Sequence, residues 1–564
     1  MRASPIQCVF FWILERNVRN GVPFAVAMSI LLLGNWLQCA AAEAPLTTRQ
    51  ENPSPENNTL ANATLSAPAT ADAPRRLIRE YRVLGAHHLS QIEIEEAVYP
   101  YLGPGRTAQD VEQARAALEK AYQAKGYQTV SVQVPPQRAA HGIIVLKVAE
   151  NTVGRLRVRD SRYFSLHKIK EAAPSLAEGG VPDFNEVSSD IVALNQWPDR
   201  RITPSLKTGV VPGTVDVDLT VKDTMPLHGS VELNNRYSAD TTPLRVNESV
   251  SYNNLWQLGH SIGGSVQFSP ENLNEVKVFS GYYIIRFADP SWLTLVVQGG
   301  KQESNVSTLG DIAVSGRGEV IGERAIITLP PETGFFHSIT FGFDFKHFTN
   351  LSIDGLTPVT YYPFSANYSA TWATKDSQTS ANAGVTFHVR GMGSSPREFD
   401  LNRFDAHGNF IYLRSDLSHQ HDLPAGFQVF GKIQGQVSDQ PLVSSEQFAG
   451  GGLATVRGYL EAETLGDNGA FGSVELRTPS LLGALGADAN EWRFYVFADG
   501  GYLMLISPLP EQDASFGLAS VGVGDRIRFQ NHFNASLDAA VPLISQTRTA
   551  AFALQMTFRV WADF

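Results

Sequence analysis

Two tandem α+β modules followed by a sixteen-stranded transmembrane antiparallel β-barrel is the fold the sequence predicts. Three observations predict it. Past residue 42 no apolar run reaches the ~20 residues that a bilayer-spanning helix needs. Residues 76–224 carry the order β-α-α-β-β twice. From about residue 225 helical periodicity gives way to period-2 alternation. Only 18% of the 564 residues are charged, against 31 Phe, 17 Tyr and 8 Trp, which suits a soluble enzyme poorly. A formal net charge of −11 argues against a nucleic-acid partner, which needs a basic stripe.

The chain opens on a leader. Arg2, Arg16 and Arg19 precede a short apolar core, VPFAVAMSILLL (22–33), and Cys39 to Ala42 supply small residues after it. That is a secretory signal spanning 1–42, with cleavage after Ala42; a lipoprotein reading centred on Cys39 is the alternative, weakened by Gln38 just before it. Both cysteines, Cys8 and Cys39, fall inside the leader, which excludes disulfide frameworks and thiolate metal sites from the mature chain. Losing three Arg and one Glu with the leader takes the net charge to −13. Residues 43–75 are rich in Pro, Thr, Asn and Ala without apolar periodicity, and read as a disordered linker.

The first module spans 76–150. REYRVLG (79–85) reads as a strand. Ser90 opens a helix with Ile94, Ala97, Val98 and Tyr101 on its apolar face. Thr107, with Asp110 three residues on, caps a second helix faced by Val111, Ala114, Leu118 and Tyr122, which Gly126 ends. Val130, Val132 and Val134 alternate in a strand, and 142–150 supplies another. The second module, 151–224, repeats the order. Leu156 and Val158 lie in a strand, 165–173 is a short helix, and Asp183 with Glu186 reads as a capping box for a helix ending near Gln196. Leu206 and then Val215, Val217, Leu219 and Val221 mark its last two strands. Two unrelated α+β domains are the alternative to a repeat.

Residues 225–564 hold about sixteen alternating segments. Ile339, Phe341, Phe343 and Phe345 alternate with Ser338, Thr340, Gly342, Asp344 and Lys346. The same reading takes 402–416 as a strand with Phe404, Ala406, Gly408, Phe410 and Tyr412 on the apolar face, and 550–562 as the last strand. A uniformly apolar face opposite a polar one is the pattern of a barrel with lipid outside and water inside. Short links such as ADPSW (288–292), LPPETG (329–334) and DLPAG (422–426) alternate with longer ones, as inner turns alternate with outer loops. A final Phe564 on an apolar-alternating strand fits an outer-membrane assembly signal.

The longest link, 438–466, carries Val456-Arg457-Gly458-Tyr459 at its core. Two strands on comes RFYVFADGGY (493–502). Parity puts Trp492, Phe494, Val496 and Ala498 on the apolar face and Arg493, Tyr495, Phe497 and Asp499 on the lumen face. A dehydrated Asp499 needs a partner. Arg457 supplies it, in bidentate form, if the loop folds back into the barrel. Glu475, inward by the same parity in SVELR (473–477), is a second candidate partner.

VRGY and F-x-D-x-G (Phe497, Asp499, Gly501) resemble the paired signatures of the two-partner secretion transporters of haemolysin-activator type, in the superfamily that also contains outer-membrane assembly factors. LNQWPDRRITPSLKTGVVPGTVDVDLTV (194–221) resembles that family's second polypeptide-transport-associated (POTRA) module at Asn195, Pro198, Asp199, Arg200, Gly209 and Gly213. The resemblance covers residues 76–564 in order. It implies two POTRA modules in the periplasm of a Gram-negative bacterium and a barrel in its outer membrane. It implies that the VRGY loop folds inside, with its arginine role on Arg457 and the aspartate role on Asp499. The implied function is recognition of an unfolded exoprotein, adhesin- or haemolysin-like and β-helical, and its secretion through the pore. Outer-membrane lipid, periplasmic chaperones and the barrel assembly machinery are further implied partners. An assembly factor that inserts other barrels is the alternative. Some members carry a plug helix before the first module, and 43–75 does not look helical.

Neither a catalytic nor a metal site fits these residues. Gly259-His260-Ser261-Ile262-Gly263 matches G-x-S-x-G, but that motif needs a strand, a sharp turn and a helix, and the next residues alternate as a strand. The 13 His are scattered without metal spacing, no phosphate-binding loop is present, and no cofactor is expected.

Overall fold

The computed structural model describes residues 75–564, apart from 139, 288–289, 304–305, 308–313, 316, 353–354, 485–489 and 531. The leader 1–42, the linker to residue 74, and Ala288 and Asp289 of one expected turn lie outside the described residues. The described chain divides into two units at Pro226/Leu227.

In the first unit, β1 (Arg76–Ile78) and β3 (Gly103–Arg106) form a small ribbon that the alternation did not reveal. Strands β2 (Glu80–Leu84), β4 (Ser131–Gln133) and β5 (Ile143–Ala149) make a sheet in the order β2-β5-β4, with β2 parallel to β5. Helices α1 (Gln91–Val98) and α2 (Ala108–Ala124) both start on reciprocal capping boxes, Ser90 with Glu93 and Thr107 with Asp110. Their apolar stripes meet the sheet, and Ala114, Leu118, Tyr122 and Leu146 are fully buried.

The second module repeats the layout with β6 (Thr152–Arg159), α3 (Leu166–Glu171), α4 (Phe184–Asn195), β7 (Arg200–Thr208) and β8 (Thr214–Asp223). Its sheet runs β6-β8-β7, again with the first strand parallel to the last. The cap of α4 differs from the expectation. The Asp183 carboxylate accepts from the Asn185 N–H at 2.8 Å, and Glu186 does not complete a box.

The second unit is a closed antiparallel barrel. Its early strands are β9 (Leu227–Asn234), β10 (Arg245–Leu255), β11 (His260–Phe268), β12 (Lys277–Arg286) and β13 (Leu293–Gln302). A loop ribbon, β14 (Val306–Ser307) with β15 (Val314–Ser315), follows. The wall resumes with β16 (Arg317–Thr328), β17 (Phe335–Ser352), β18 (Gly355–Tyr361), β19 (Phe364–Ala373), β20 (Ser377–Phe387), β21 (Ile411–Asp422) and β22 (Gln428–Ser438). After a second loop ribbon, β23 (Phe448–Gly450) with β24 (Thr464–Gly466), come β25 (Asn468–Arg477), β26 (Glu491–Met504), β27 (Ser515–Phe529), β28 (Phe533–Pro542) and β29 (Gln555–Asp563). Strands β18 and β19 pair with successive stretches of β17 and share one place in the wall, broken at Tyr362-Pro363, so the wall has sixteen positions.

The pleat sorts the side chains as a lipid-facing wall requires. Val250, Phe341, Leu413, Ile433, Val474 and Val496 are exposed on the outside. Thr340, Asp344, Lys346, Glu475 and Asp499 are buried on the inside. One expectation fails. Residues 396–402 form helix α5 (Pro396–Asn402), 403–410 form a loop, and the strand begins at Ile411. Ala406, Phe410 and Tyr412 point inward and pack with Phe348, Tyr361, Phe399, Leu442 and Val443, while Ile411 and Leu413 face out. Ser261 lies inside β11, not at a strand-to-helix turn, and its hydroxyl accepts from the Arg286 guanidinium at 2.8 Å.

Candidate functional site: an arginine-centred lock on an inward loop

Residues 439–467 join β22 to β25, and the ribbon of β23 and β24 carries the tip of this loop inside the barrel. The tip needs its glycines. Gly451, Gly452 and Gly458 sit at φ +101°, +89° and +89°. A Cβ on Gly458 would also stand 3.0 Å from that of Ala540 on β28, so only glycine lets the loop come this close to the wall. Val456 is fully buried against Phe448, Phe471, Leu503 and Leu518 and sets the neighbouring Arg457.

The Arg457 guanidinium, 5% exposed, is held from three sides. Its Nε and one terminal nitrogen each donate to Asp499 at 2.7 Å, a bidentate pair, and its backbone N–H reaches the same carboxylate at 3.1 Å. The other terminal nitrogen donates to Glu475 at 2.7 Å and lies 3.6 Å from Asp538. Ser473 accepts at 3.1 Å. The guanidinium carbon lies 3.6 Å from the centre of the Phe497 ring, a cation–π contact. Arg477 donates to Glu475 at 2.7 Å and Arg526 lies 3.4 Å from it, while the Tyr495 hydroxyl donates to Asp538 at 2.8 Å. Three cations thus face three carboxylates, and their formal charges cancel.

The F-x-D-x-G residues divide the work. Phe497 stacks on the cation and Asp499 grips it. Gly501 leaves room for Phe471, because a Cβ there would stand 2.9 Å from the Phe471 Cα; the Phe471 ring packs at 5.2 Å on Phe448 of the loop. Tyr459 extends the grip, its hydroxyl bonding the carbonyls of Ile544 (2.8 Å) and Ala519 (3.0 Å).

Other ties hold the loop at its tip and root. Glu461 takes the Arg236 guanidinium at 2.7 Å and donates its backbone N–H to the Tyr237 carbonyl, just past β9. Glu463 accepts from the Arg548 N–H at 3.1 Å and from the Thr549 hydroxyl at 2.5 Å, just before β29. At the root, Glu446 is buried with Lys346 at 2.5 Å, and the hydroxyls of Tyr361 (2.6 Å) and Tyr412 (2.8 Å) donate to it. Buried Asp467 accepts from the N–H groups of Leu442 (2.9 Å) and Ile506 (2.8 Å) and has Arg403 at 3.5 Å.

Sequence reasoning placed Arg457, Asp499 and Glu475 but missed Asp538, Arg477, Arg526 and the Lys346–Glu446 tie. Inward parity flags Asp538, since Leu537 beside it is exposed. Nothing local flags Glu446, whose partners lie 34 to 100 residues away.

The second-module motif forms no part of this cluster. Asn195 clamps the Ile202 backbone, accepting its N–H at 2.7 Å and donating to its carbonyl at 3.0 Å. Pro198 and Asp199, the latter at φ +65°, turn the chain from α4 into β7. Arg200 is buried over Trp197, 3.9 Å from the ring centre, and donates to the Leu194 carbonyl at 3.0 Å; burial pushes its guanidinium down to about 10, which leaves it charged at neutral pH. Gly209 and Gly213 bound the β7–β8 hairpin, Gly213 at φ +81°. A Cβ on Gly209 would stand 2.8 Å from the Thr214 carbonyl oxygen. Gly209→Val should therefore destabilise this hairpin by about 1–3 kcal/mol. Limited proteolysis of the full chain, read as faster cleavage between 200 and 223, checks it.

Residues 213–527 match the family described as haemolysin secretion/activation protein ShlB/FhaC/HecB. Residues 77–151 match the POTRA domain of ShlB type. Outer membrane transporter CdiB of Dickeya dadantii (strain 3937) is 22% identical over 485 residues, 83% of each chain. Heme/hemopexin transporter protein HuxB of Haemophilus influenzae is 20% identical over 439 residues, 74% of this chain and 75% of its own. The solved structure of CdiB from Escherichia coli shares the fold with a TM-score of 0.65 at 20% identity over the whole of both chains.

Proposed function

The chain belongs to the haemolysin secretion/activation family of ShlB/FhaC/HecB type, and from that premise we propose how its parts divide the work of two-partner secretion. The protein is an outer-membrane transporter with periplasmic POTRA modules, and its partner is a secreted exoprotein. The modules take an unfolded strand of that exoprotein on an exposed sheet edge, where backbone hydrogen bonds make little demand on sequence. The 439–467 loop occupies the barrel at rest, and its withdrawal admits the chain to the polar lumen. The observation that carries this reading is the Arg457 cluster, a lock with every charge matched and one loop residue at its centre. Folding of the cargo outside supplies direction without ATP.

The cargo is adhesin- or haemolysin-like and β-helical, delivered with the help of periplasmic chaperones. Outer-membrane lipid surrounds the barrel, and the barrel assembly machinery inserts it. Depletion of the protein tests this reading against the insertion of other barrels. Loss of one surface exoprotein, with other outer-membrane barrels assembled normally, is the expected result. General barrel misassembly would sink it.

A further inference from the structure

Glu323 lies on the lipid side of the wall. Strand β16 reads RGEVIGERAIIT, and its inward face buries Val320 and Arg324, the latter paired with Asp344 at 2.7 Å. The pleat therefore sends Glu319, Ile321, Glu323, Ala325 and Ile327 outward. Glu319, near the outer end, is answered by Lys301 at 2.8 Å. Glu323 sits midway along the strand. Its register neighbours are Val297 on β13 and Phe343 on β17, and Val297 is itself exposed on the outer face. Glu323 is exposed, and among the described residues no hydrogen bond or ion pair reaches its carboxylate.

Beside it runs an aromatic shelf. Phe341 is half exposed, Phe343 stacks on Tyr362 and packs at 5.1 Å on Phe364, and Phe364 stacks on Phe387 at 5.6 Å. Lipid tails give such rings what they need and give a carboxylate nothing. A charge on the outer face of a barrel at mid-depth is destabilising, and an ionisable group kept within a membrane marks a site with a partner.

We propose that Glu323 and the shelf around Phe341 and Phe343 form an intramembrane docking site for a protein that spans the same membrane and presents a lysine or arginine at mid-depth. Charge complementarity selects that chemistry, and the rings of the shelf offer faces to the same cation. A second copy of this chain fits worse, because a two-fold contact centred here sets two carboxylates against each other.

The test uses the full chain, reconstituted in phosphatidylethanolamine/phosphatidylglycerol vesicles and carrying a donor dye through Lys375→Cys on the turn beside this face. The probe is an acceptor-labelled Leu/Ala helix of about 20 residues with one central lysine. The control helix has leucine there. Energy transfer should report about three- to tenfold tighter association of the lysine helix. The preference should vanish in Glu323→Gln and in Glu323→Leu. Leucine suits lipid, so the second variant inserts, as heat-modifiable migration verifies. Equal association of the two helices with the native chain overturns the proposal. So does a lysine preference that survives Glu323→Leu, or self-association of the native chain that Glu323→Leu abolishes.

Discussion

Arg457→Ala should cut exoprotein at the cell surface at least tenfold while the barrel still inserts. The substitution removes the group that answers Asp499, Glu475 and Asp538 together. Arg477 and Arg526 still reach Glu475, but Asp499 loses its bidentate partner. Removing one member of a buried ion pair costs about 3–5 kcal/mol, so the docked loop should lose a factor of roughly 10²–10⁴ in population; secretion then falls because the loop no longer holds the docked seat that arriving cargo must displace and to which it returns. Arg457→Lys should rescue little. An ammonium is a point charge and cannot serve Asp499 through two nitrogens, reach Glu475 and stand over the Phe497 ring at once. Immunoblotting of the secreted fraction, beside heat-modifiable migration of the barrel, reads both halves of the expectation. Unchanged secretion would remove the loop from the mechanism.

The second large effect belongs to the loop root. Lys346→Met leaves the Glu446 carboxylate buried with only the Tyr361 and Tyr412 hydroxyls to hold it. The expected cost is again about 3–5 kcal/mol. Protease added outside intact cells should then cut within 439–446 more than tenfold faster. Adding Glu446→Leu should restore most of the resistance, since an apolar pair of similar volume is often as stable as a buried ion pair. A single variant as resistant as the native chain would show that the pair does not tether the root.

The contrast between these two sites explains what the sequence made legible. Around Asp499 the wall is a regular strand, so counting by twos assigned Tyr495, Phe497 and Asp499 to the lumen and Phe494 and Val496 to lipid. Glycine spacing and a lone arginine marked the loop tip. Counting by twos says which residues share a face, not what lies beyond it. At Phe404 to Tyr412 an apolar face was assigned to lipid, yet Phe410 and Tyr412 look inward because the 388–410 segment and the loop root fill the lumen there with apolar groups. The Glu446 site draws on β17, β18 and β21, and no local pattern anticipates a contact over 100 residues. The second-module motif was legible as a resemblance, and its residues prove to be the corner and hairpin of their own module.

The grip of Glu461 and Glu463 has a consequence for how the barrel forms. Closure must join β29 to β9, with Asn234 opposite Arg559, over a ladder of five residue pairs that is shorter than its neighbours. Bringing together segments more than 300 residues apart is entropically slow. The loop tip touches the outer end of β9 through Arg236 and Tyr237, and the approach to β29 through Arg548 and Thr549. Once seated, it holds the two lips in register from within. If the seated loop helps to hold the two lips together, chains with a weakened tip should reach the same closed barrel later than the native one, so the segment proposed to withdraw for cargo would also serve closure of the ring.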